Sequence, residues 1–343
     1  MNEIIKQLFT DLHENPESSE REEKTRKIIT EFMNRNTSME YYELPGGFYY
    51  VYRSPKGLKN IAIRADYDAV TCDDHKARHL CGHDGHATSL CALALLLEEK
   101  GCDNNVFLLF QSAEENGEGA KKCLDIFNEK IDVIYGQHNL PGFAFGKVFT
   151  SYNTFACTSC GLIIRLKGKS SHAAYPELGI SPGHLSAEIL KKIEGYHTLE
   201  KMITLIGVKI GEKTFGVMAH EAEIYLTLRS TTDENLKELE EELISYIDMN
   251  KGELKFSYEK IDHFPAVFND KEEAQRVLDR LDGELLKEPM RWSEDFAHYL
   301  KGHKGAFFGI GAGEKHPGLH TAEYVYPVEL IDITRDCFYG LVK

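Results

Sequence analysis

The chain has 343 residues, of which 42% are hydrophobic and 28% charged, enough apolar material for two ordinary domains or one large one. A formal net charge of −15 argues against nucleic acid or a membrane surface as partner. Eight cysteines scattered irregularly over this length exclude a small secreted disulfide scaffold and fit reduced thiols in a cytosol.

The N-terminal "MNEIIKQLFTDLHENPE" carries a charge every few residues, so it does not read as a signal peptide. No run approaches the roughly 18 apolar residues of a membrane span. The expectation is a cytoplasmic protein.

Ile4, Ile5, Leu8, Phe9 and Leu12 recur at helical spacing and predict an opening helix. Ser19 with Glu22 three residues on has the form of a capping box, predicting a second helix to about Asn34. "NIAIRAD" (60–66) reads as a buried strand, "TSLCALALLLEEKG" (88–101) as a buried helix and "NVFLLFQ" (105–111) as a strand. "EGAKKCLDIFNE" (118–129) reads as a helix and "IDVIYG" (131–136) as a third strand. This alternation predicts an α/β layer with a mostly parallel sheet, whose sites gather at the C-terminal strand ends.

The middle of the chain changes character. A strand at 160–169 precedes a helix that opens at Ser181-Pro182 and runs to about Tyr196. Strands at 201–211 and 221–230, an amphipathic helix at 233–249 and a strand at 253–261 complete a ferredoxin-like order. The last third returns to α/β, with a strand at 306–311 and a helix from about Pro327. A catalytic domain of residues 1–153 and 265–343 is therefore expected to carry an inserted α+β domain of residues 154–264.

"HLCGHDGHATSL" places three histidines, a cysteine and an aspartate just before an apolar helix. Asp66 and Asp68, Glu114 and Glu115, and His138 each follow a predicted strand, and His320 lies near the end of the chain. Adjacent unpaired carboxylates in one buried space repel, and one then stays protonated. A metal removes the conflict, since one carboxylate ligates and the other orients water. Cysteine thiolate, imidazole and carboxylate together suit zinc, manganese, cobalt or nickel. The C-x-x-C pair Cys157 and Cys160 has no second pair and reads as structural.

These motifs together resemble the dinuclear-metal amidohydrolases of the aminoacylase/carboxypeptidase peptidase family. The nearest branch is that of hippurate hydrolase, indole-acetyl-amino-acid hydrolases and N-acetyl-diaminopimelate deacetylase. The resemblance is carried by "LHENPESSEREEKT", "RADYDAV", "CGHDGHATSL", "FLLFQSAEENGEGAKKCL", "GKSSHAAYPELGISP", "WSEDFAHYL" and "LHTAEY". It implies a zinc-peptidase-like catalytic domain with a central mixed sheet, plus a ferredoxin-like dimerisation domain. It further implies two divalent ions, zinc or manganese before cobalt or nickel, on Cys81, His83, Glu115, His138 and His320. Glu114 is then the general base and Asp68 orients a ligand. His172 reaches the partner's site in a homodimer and helps hold the carbonyl oxygen.

The implied reaction is cleavage of the amide bond of an N-acyl amino acid by metal-activated water. The chain departs from the family's small-domain pattern at Glu177, Ser181 and Gly216, which touches substrate recognition rather than metal chemistry. Arg229 remains available to pair with a carboxylate, and Glu177 suits a free substrate amine. A dipeptidase or aminopeptidase on the same scaffold is the alternative, and a non-catalytic metal-binding homologue stands behind it.

Overall fold

A computed structural model describes residues 2–72 and 74–343. The chain divides into two compact units, one of residues 1–155, 267–289 and 294–343, the other of residues 156–266 and 290–293.

The larger unit is built on an eight-stranded mixed sheet. Its strands run in the order Glu40–Leu44, Gly47–Tyr52, Asn105–Gln111, Asn60–Asp66, Val133–Pro141, Gly305–Gly313, Val148–Thr150 and Glu284–Leu285. The four strands from Asn105–Gln111 to Gly305–Gly313 are mutually parallel. They are also apolar on both faces, as parallel strands covered by helices must be. Antiparallel partners flank them on either side, so the expected mostly parallel sheet is a parallel centre with antiparallel additions. The hairpin of Glu40–Leu44 and Gly47–Tyr52 escaped the sequence reading. Gly47–Tyr52 is buried almost throughout, so its burial does not alternate as a half-exposed strand's would.

The helix His83–Lys100 crosses the centre of this unit, and thirteen of its residues are buried. Its stretch from Leu90 to Leu97 is apolar and lies inside the core. Leu90, Leu93 and Leu97 pack there with Ile61, Ile63, Leu108 and Phe110 from the sheet. The terminal helix Leu330–Val342 contributes Phe338 and Leu341 to the same cluster.

Three local expectations are corrected. The second helix starts at Glu23 with no side-chain cap. The Ser19 hydroxyl instead donates to Asp68 at 2.8 Å, and Glu22 accepts from the Ala113 amide at 2.8 Å, so both capping-box groups serve long-range contacts. The helix expected over 118–129 is a short α-turn, Gly119–Lys122, followed by the 3₁₀ segment Leu124–Glu129. Ala120 donates its amide to the buried Asp295 at 2.9 Å, which fixes the start of this segment from outside it. Farther on, Pro182 rather than Ser181 takes the N-cap position of Gly183–Ile193.

The smaller unit is a four-stranded antiparallel sheet in the order Met202–Ile210, Glu221–Ser230, Thr158–Lys167 and Lys255–Phe264. Numbered along the chain these strands run 2-3-1-4, and with the helices Gly183–Ile193 and Asp233–Asn250 they make the ferredoxin-like arrangement. Leu162, Ile164, Ile224 and Leu226 of the sheet pack with Ile189, Leu239 and Leu243 of the helices. Cys157 and Cys160 are buried free thiols.

Candidate metal centre

The centre is assembled at the C-terminal ends of the parallel strands. Asp66 ends Asn60–Asp66, Glu114 and Glu115 follow Asn105–Gln111, and His138 lies in Val133–Pro141. Cys81 and His83 arrive on the turn into the central helix. That turn needs its glycines. Gly82 has φ +98°, and a Cβ there would meet Tyr324 Oη at 2.5 Å. At Gly85 a Cβ would strike the Tyr326 ring at 2.3 Å. The loops also hold two non-glycine residues in the left-handed region, Ala113 (φ 53°) and His320 (φ 62°). Such backbones persist where surrounding contacts over-determine them. Ala113 is tied to Glu22, and the His320 amide donates to Leu80 O at 2.7 Å.

The donor atoms converge. Cys81, His83 and His138 present atoms within 4.8 Å of one another, as do Cys81, Glu115 and His320, and also His83, Glu114 and Glu115. Cys81 Sγ lies 3.3 Å from His138 Nε2. His83 Nε2 is 3.8 Å from Glu115 Oε1, and His320 Nε2 is 3.5 Å from the same oxygen. His83 Nε2 and Glu115 Oε1 are both buried and have no hydrogen-bond partner among the described residues. Buried polar atoms are rarely left so. A lone-pair nitrogen and a carboxylate oxygen facing a thiol are a donor set that divalent cations satisfy. The residues present therefore fit a pair of divalent ions.

The donors perturb one another because they share one buried space. Burial raises the Cys81 thiol, with Glu115 adding to it. His138 is driven well below the usual imidazole range by burial and by its histidine neighbours. Burial raises Glu114 well above the carboxylate range, and Glu294 and Glu115 reinforce the shift. Cys81, and then Glu115, standing beside the ring as acceptors of its charged form, lift His320 to about 10. Bound cations reverse this pattern, deprotonating thiol and imidazolium and holding the carboxylates ionised.

Asp68 and Asp66 have separate duties. Asp68 Oδ1 accepts from His83 Nδ1 at 2.9 Å, while Oδ2 accepts from Ser19 Oγ at 2.8 Å and the Glu115 amide at 3.0 Å. One carboxylate thus orients two of the candidate ligands. Asp66 lies 2.7 Å from Arg64 and 2.6 Å from His86 Nδ1. Burial alone would raise Asp66, but His83, Arg64 and His86 hold it well below its ordinary range.

Several residues of the site were not singled out from sequence. Arg64 is fully buried and also meets Glu294 at 2.9 Å and Asp295 at 2.7 Å. Asp295 further accepts from Gln111 at 2.8 Å, and burial pushes it up to about 8. His86 continues to Asn139 at 2.7 Å, and Asn139 donates to Tyr324 at 2.7 Å. The motifs "RADYDAV" and "WSEDFAHYL" were the available signal. What sequence hid was that 231 positions separate partners meeting at hydrogen-bond distance.

The remaining expected residues belong to the ferredoxin-like unit. His172 is exposed, and its Nδ1 accepts from the Ala174 amide at 3.0 Å. Glu177 is exposed on the turn Pro176–Leu178. Arg229 donates to Arg291 O at 3.1 Å and Ser293 Oγ at 3.0 Å.

A parallel-centred α/β unit holding a cysteine, histidines and carboxylates at its strand ends, with a ferredoxin-like insertion, defines a metallohydrolase of the zinc-peptidase kind. The family model of peptidase family M20/M25/M40 matches residues 62–343. The chain belongs to that family, and it is a metal-dependent hydrolase acting on amide bonds. Among curated relatives, "IAA-amino acid hydrolase ILR1-like 4" of Arabidopsis thaliana is 27% identical, covering 89% of this chain and 76% of its own length. The N-acetyldiaminopimelate deacetylase of Leuconostoc mesenteroides is 26% identical over 94% of this chain and 92% of its own. A crystal structure of the Bacillus subtilis YXEP protein, described as a dinuclear metal-binding peptidase, superposes with a TM-score of 0.84. It is 23% identical and covers 99% of this chain and 96% of the other, a likeness of fold.

Proposed function

We propose that this protein removes the acyl group from an N-acyl amino acid, using zinc or manganese and Glu114 as the proton-transferring group. Cys81, His83, Glu115, His138 and His320 hold the two ions in this reading. When bound, the ions supply Lewis acidity, polarising the substrate carbonyl and making water a better nucleophile at neutral pH.

The observation that carries the reading is the place of Glu114. Its carboxylate is buried beside the donors, with Oε2 at 3.9 Å from His83 Nε2. It also lies within 4.8 Å of the buried carboxylates of Glu294 and Asp295, outside the orienting hydrogen bonds of Asp68. Buried beside the donors and free of the orienting hydrogen bonds that engage Asp68, Glu114 is the carboxylate placed to take a proton from water and later return it. Glu114 accepts the proton of the attacking water as its oxygen adds to the carbonyl carbon. When the carbon–nitrogen bond breaks, Glu114 delivers that proton to the leaving amine.

His172 supports the oxyanion, and the chain works as a cytoplasmic homodimer through the ferredoxin-like unit. The exposed setting of His172 and the exposed Leu205, Ile206 and Val208 on the edge strand Met202–Ile210 support this. Arg229 and Glu177 belong to the substrate-facing set. Loading the protein in turn with zinc, manganese, cobalt and nickel and offering N-acyl amino acids beside dipeptides tests the reading. Release of free amino acid from the N-acyl compounds is expected. Cleavage confined to dipeptides with a free amine would make the protein a dipeptidase instead.

A further inference from the structure

Beside the metal donors the larger unit opens into a cleft of about 580 Å³, whose walls include Glu115 and His320 together with Ser18, Arg21, Thr71 and Asn116. These walls are polar. Val70 is the one aliphatic side chain lining the cleft among the described residues. Apolar acyl chains gain nothing from such a wall, whereas a charged end group does.

Arg21 is the one arginine or lysine of that wall among the described residues, and the turn that carries it is held at several points. The Arg21 amide donates to Ser18 O at 3.0 Å, and Ala69 donates to Glu17 O at 2.8 Å. Ser19 is bonded to Asp68, the carboxylate that orients His83, and Glu22 to Ala113, next to Glu114. The position of Arg21 is thereby tied to both candidate ligands and candidate base. Its neighbour Glu20 is engaged elsewhere, paired with Lys122. Arg21 itself is exposed and makes no ion pair among the described residues. In a chain with 55 acidic and 40 basic side chains, an arginine on a fixed turn beside a cleft, outside every ion pair among the described residues, is free to meet an anion. Guanidinium geometry matches a carboxylate with two parallel hydrogen bonds.

We infer that Arg21 binds a carboxylate of the substrate and selects for it. The inference rests on the proposed amidohydrolase activity. Such substrates offer the carboxylate from two sources, the α-carboxylate of the amino acid or an ω-carboxylate on the acyl chain.

Two substrate pairs separate these sources in the metal-loaded enzyme. One is an N-acetyl amino acid and its α-carboxamide, the other the N-succinyl and N-butyryl derivatives of one amino acid. Wild type is expected to prefer the acidic member of one pair. Arg21→Ala should reduce that preference by about ten-fold, the scale of a charge-assisted hydrogen bond, with the loss in KM more than kcat. Arg21→Lys should restore part of it. Calorimetric titration of the same compounds into Glu114→Gln and Arg21→Ala/Glu114→Gln reads binding without turnover, and the acidic compound should bind about ten-fold more weakly to the double variant. If no compound is hydrolysed, the amidohydrolase reading fails while the titration still decides the role of Arg21. A preference and an affinity that Arg21→Ala leaves unaltered, or no binding of any acidic compound, would overturn the inference.

Discussion

Asp68 Oδ1 lies 2.9 Å from His83 Nδ1, and the other nitrogen of that ring, Nε2, is left without a protein hydrogen-bond partner. An acceptor on Nδ1 fixes the tautomer that keeps the Nε2 lone pair free for a metal, and it raises the basicity of the ring. Asp68→Asn keeps the shape and removes the charge. Partners of this kind contribute roughly 10–100-fold to metal affinity. Competition with a calibrated chelator should show a loss in that range for Asp68→Asn. An affinity equal to wild type would mean that His83 is oriented by something else.

Glu114 is the group whose removal should separate chemistry from metal binding. Its carboxylate meets Glu294 and Asp295 as well as the donors. Glu114→Gln keeps the shape and also relieves a crowd of buried acids. Metal content by elemental analysis should stay near wild type, while turnover falls by on the order of 10²–10⁴-fold, the usual contribution of a general base. Near wild-type turnover would remove Glu114 from proton transfer.

What was legible in the sequence followed chemistry and local periodicity. Glu114, Glu115 and His138 lie in or just past strands that apolar runs marked, and Cys81 and His83 lie on the turn into the helix marked by another such run, so the elements that carry them could be read. The ferredoxin-like order was legible from local pattern too, since Glu221–Ser230 alternates throughout and Thr158–Lys167 over most of its length. Ser19 and Glu22 misled because a capping box is a local pattern, and here both side chains answer to partners 49 and 91 positions away. Arg64 was illegible in the same way. A buried arginine is tolerable only with its carboxylates around it, and two of those come from Glu294 and Asp295, at the far end of the chain.

Glu22 gives stability a pH dependence of definite sign. Burial and the nearby Asp68 raise its carboxyl to about 7. A raised carboxyl favours the folded state while protonated. Its contribution is fully present below the unfolded value near 4.5 and is lost as pH rises through about 7. Glu22→Gln cannot ionise, and its amide oxygen can still accept from Ala113. The melting temperature of Glu22→Gln relative to wild type should therefore climb between roughly pH 4.5 and pH 7 and level off above that. Metal binding varies with pH in both proteins, so the difference between them isolates Glu22. A difference that stays flat, or falls, would show that Glu22 is not a strained buried acid.

The division of labour between the two units yields the last test. The convergent donors and Glu114 lie in the larger unit, whereas His172 lies exposed in the ferredoxin-like unit. That unit ends in the edge strand Met202–Ile210, where Ile206 is 64% exposed, the kind of edge that pairs with a second copy. If His172 serves the partner's site, a His172→Ala chain and a Glu114→Gln chain are each nearly inactive alone. A mixed dimer then holds one site with both residues and one with neither. Co-incubation under conditions that exchange subunits should restore up to a quarter of the wild-type activity at equal mixing, since about half the dimers are mixed and each has one working site of two. Exchange itself is followed with tagged chains. Proven exchange without recovery would place His172 in its own chain's site or outside the reaction.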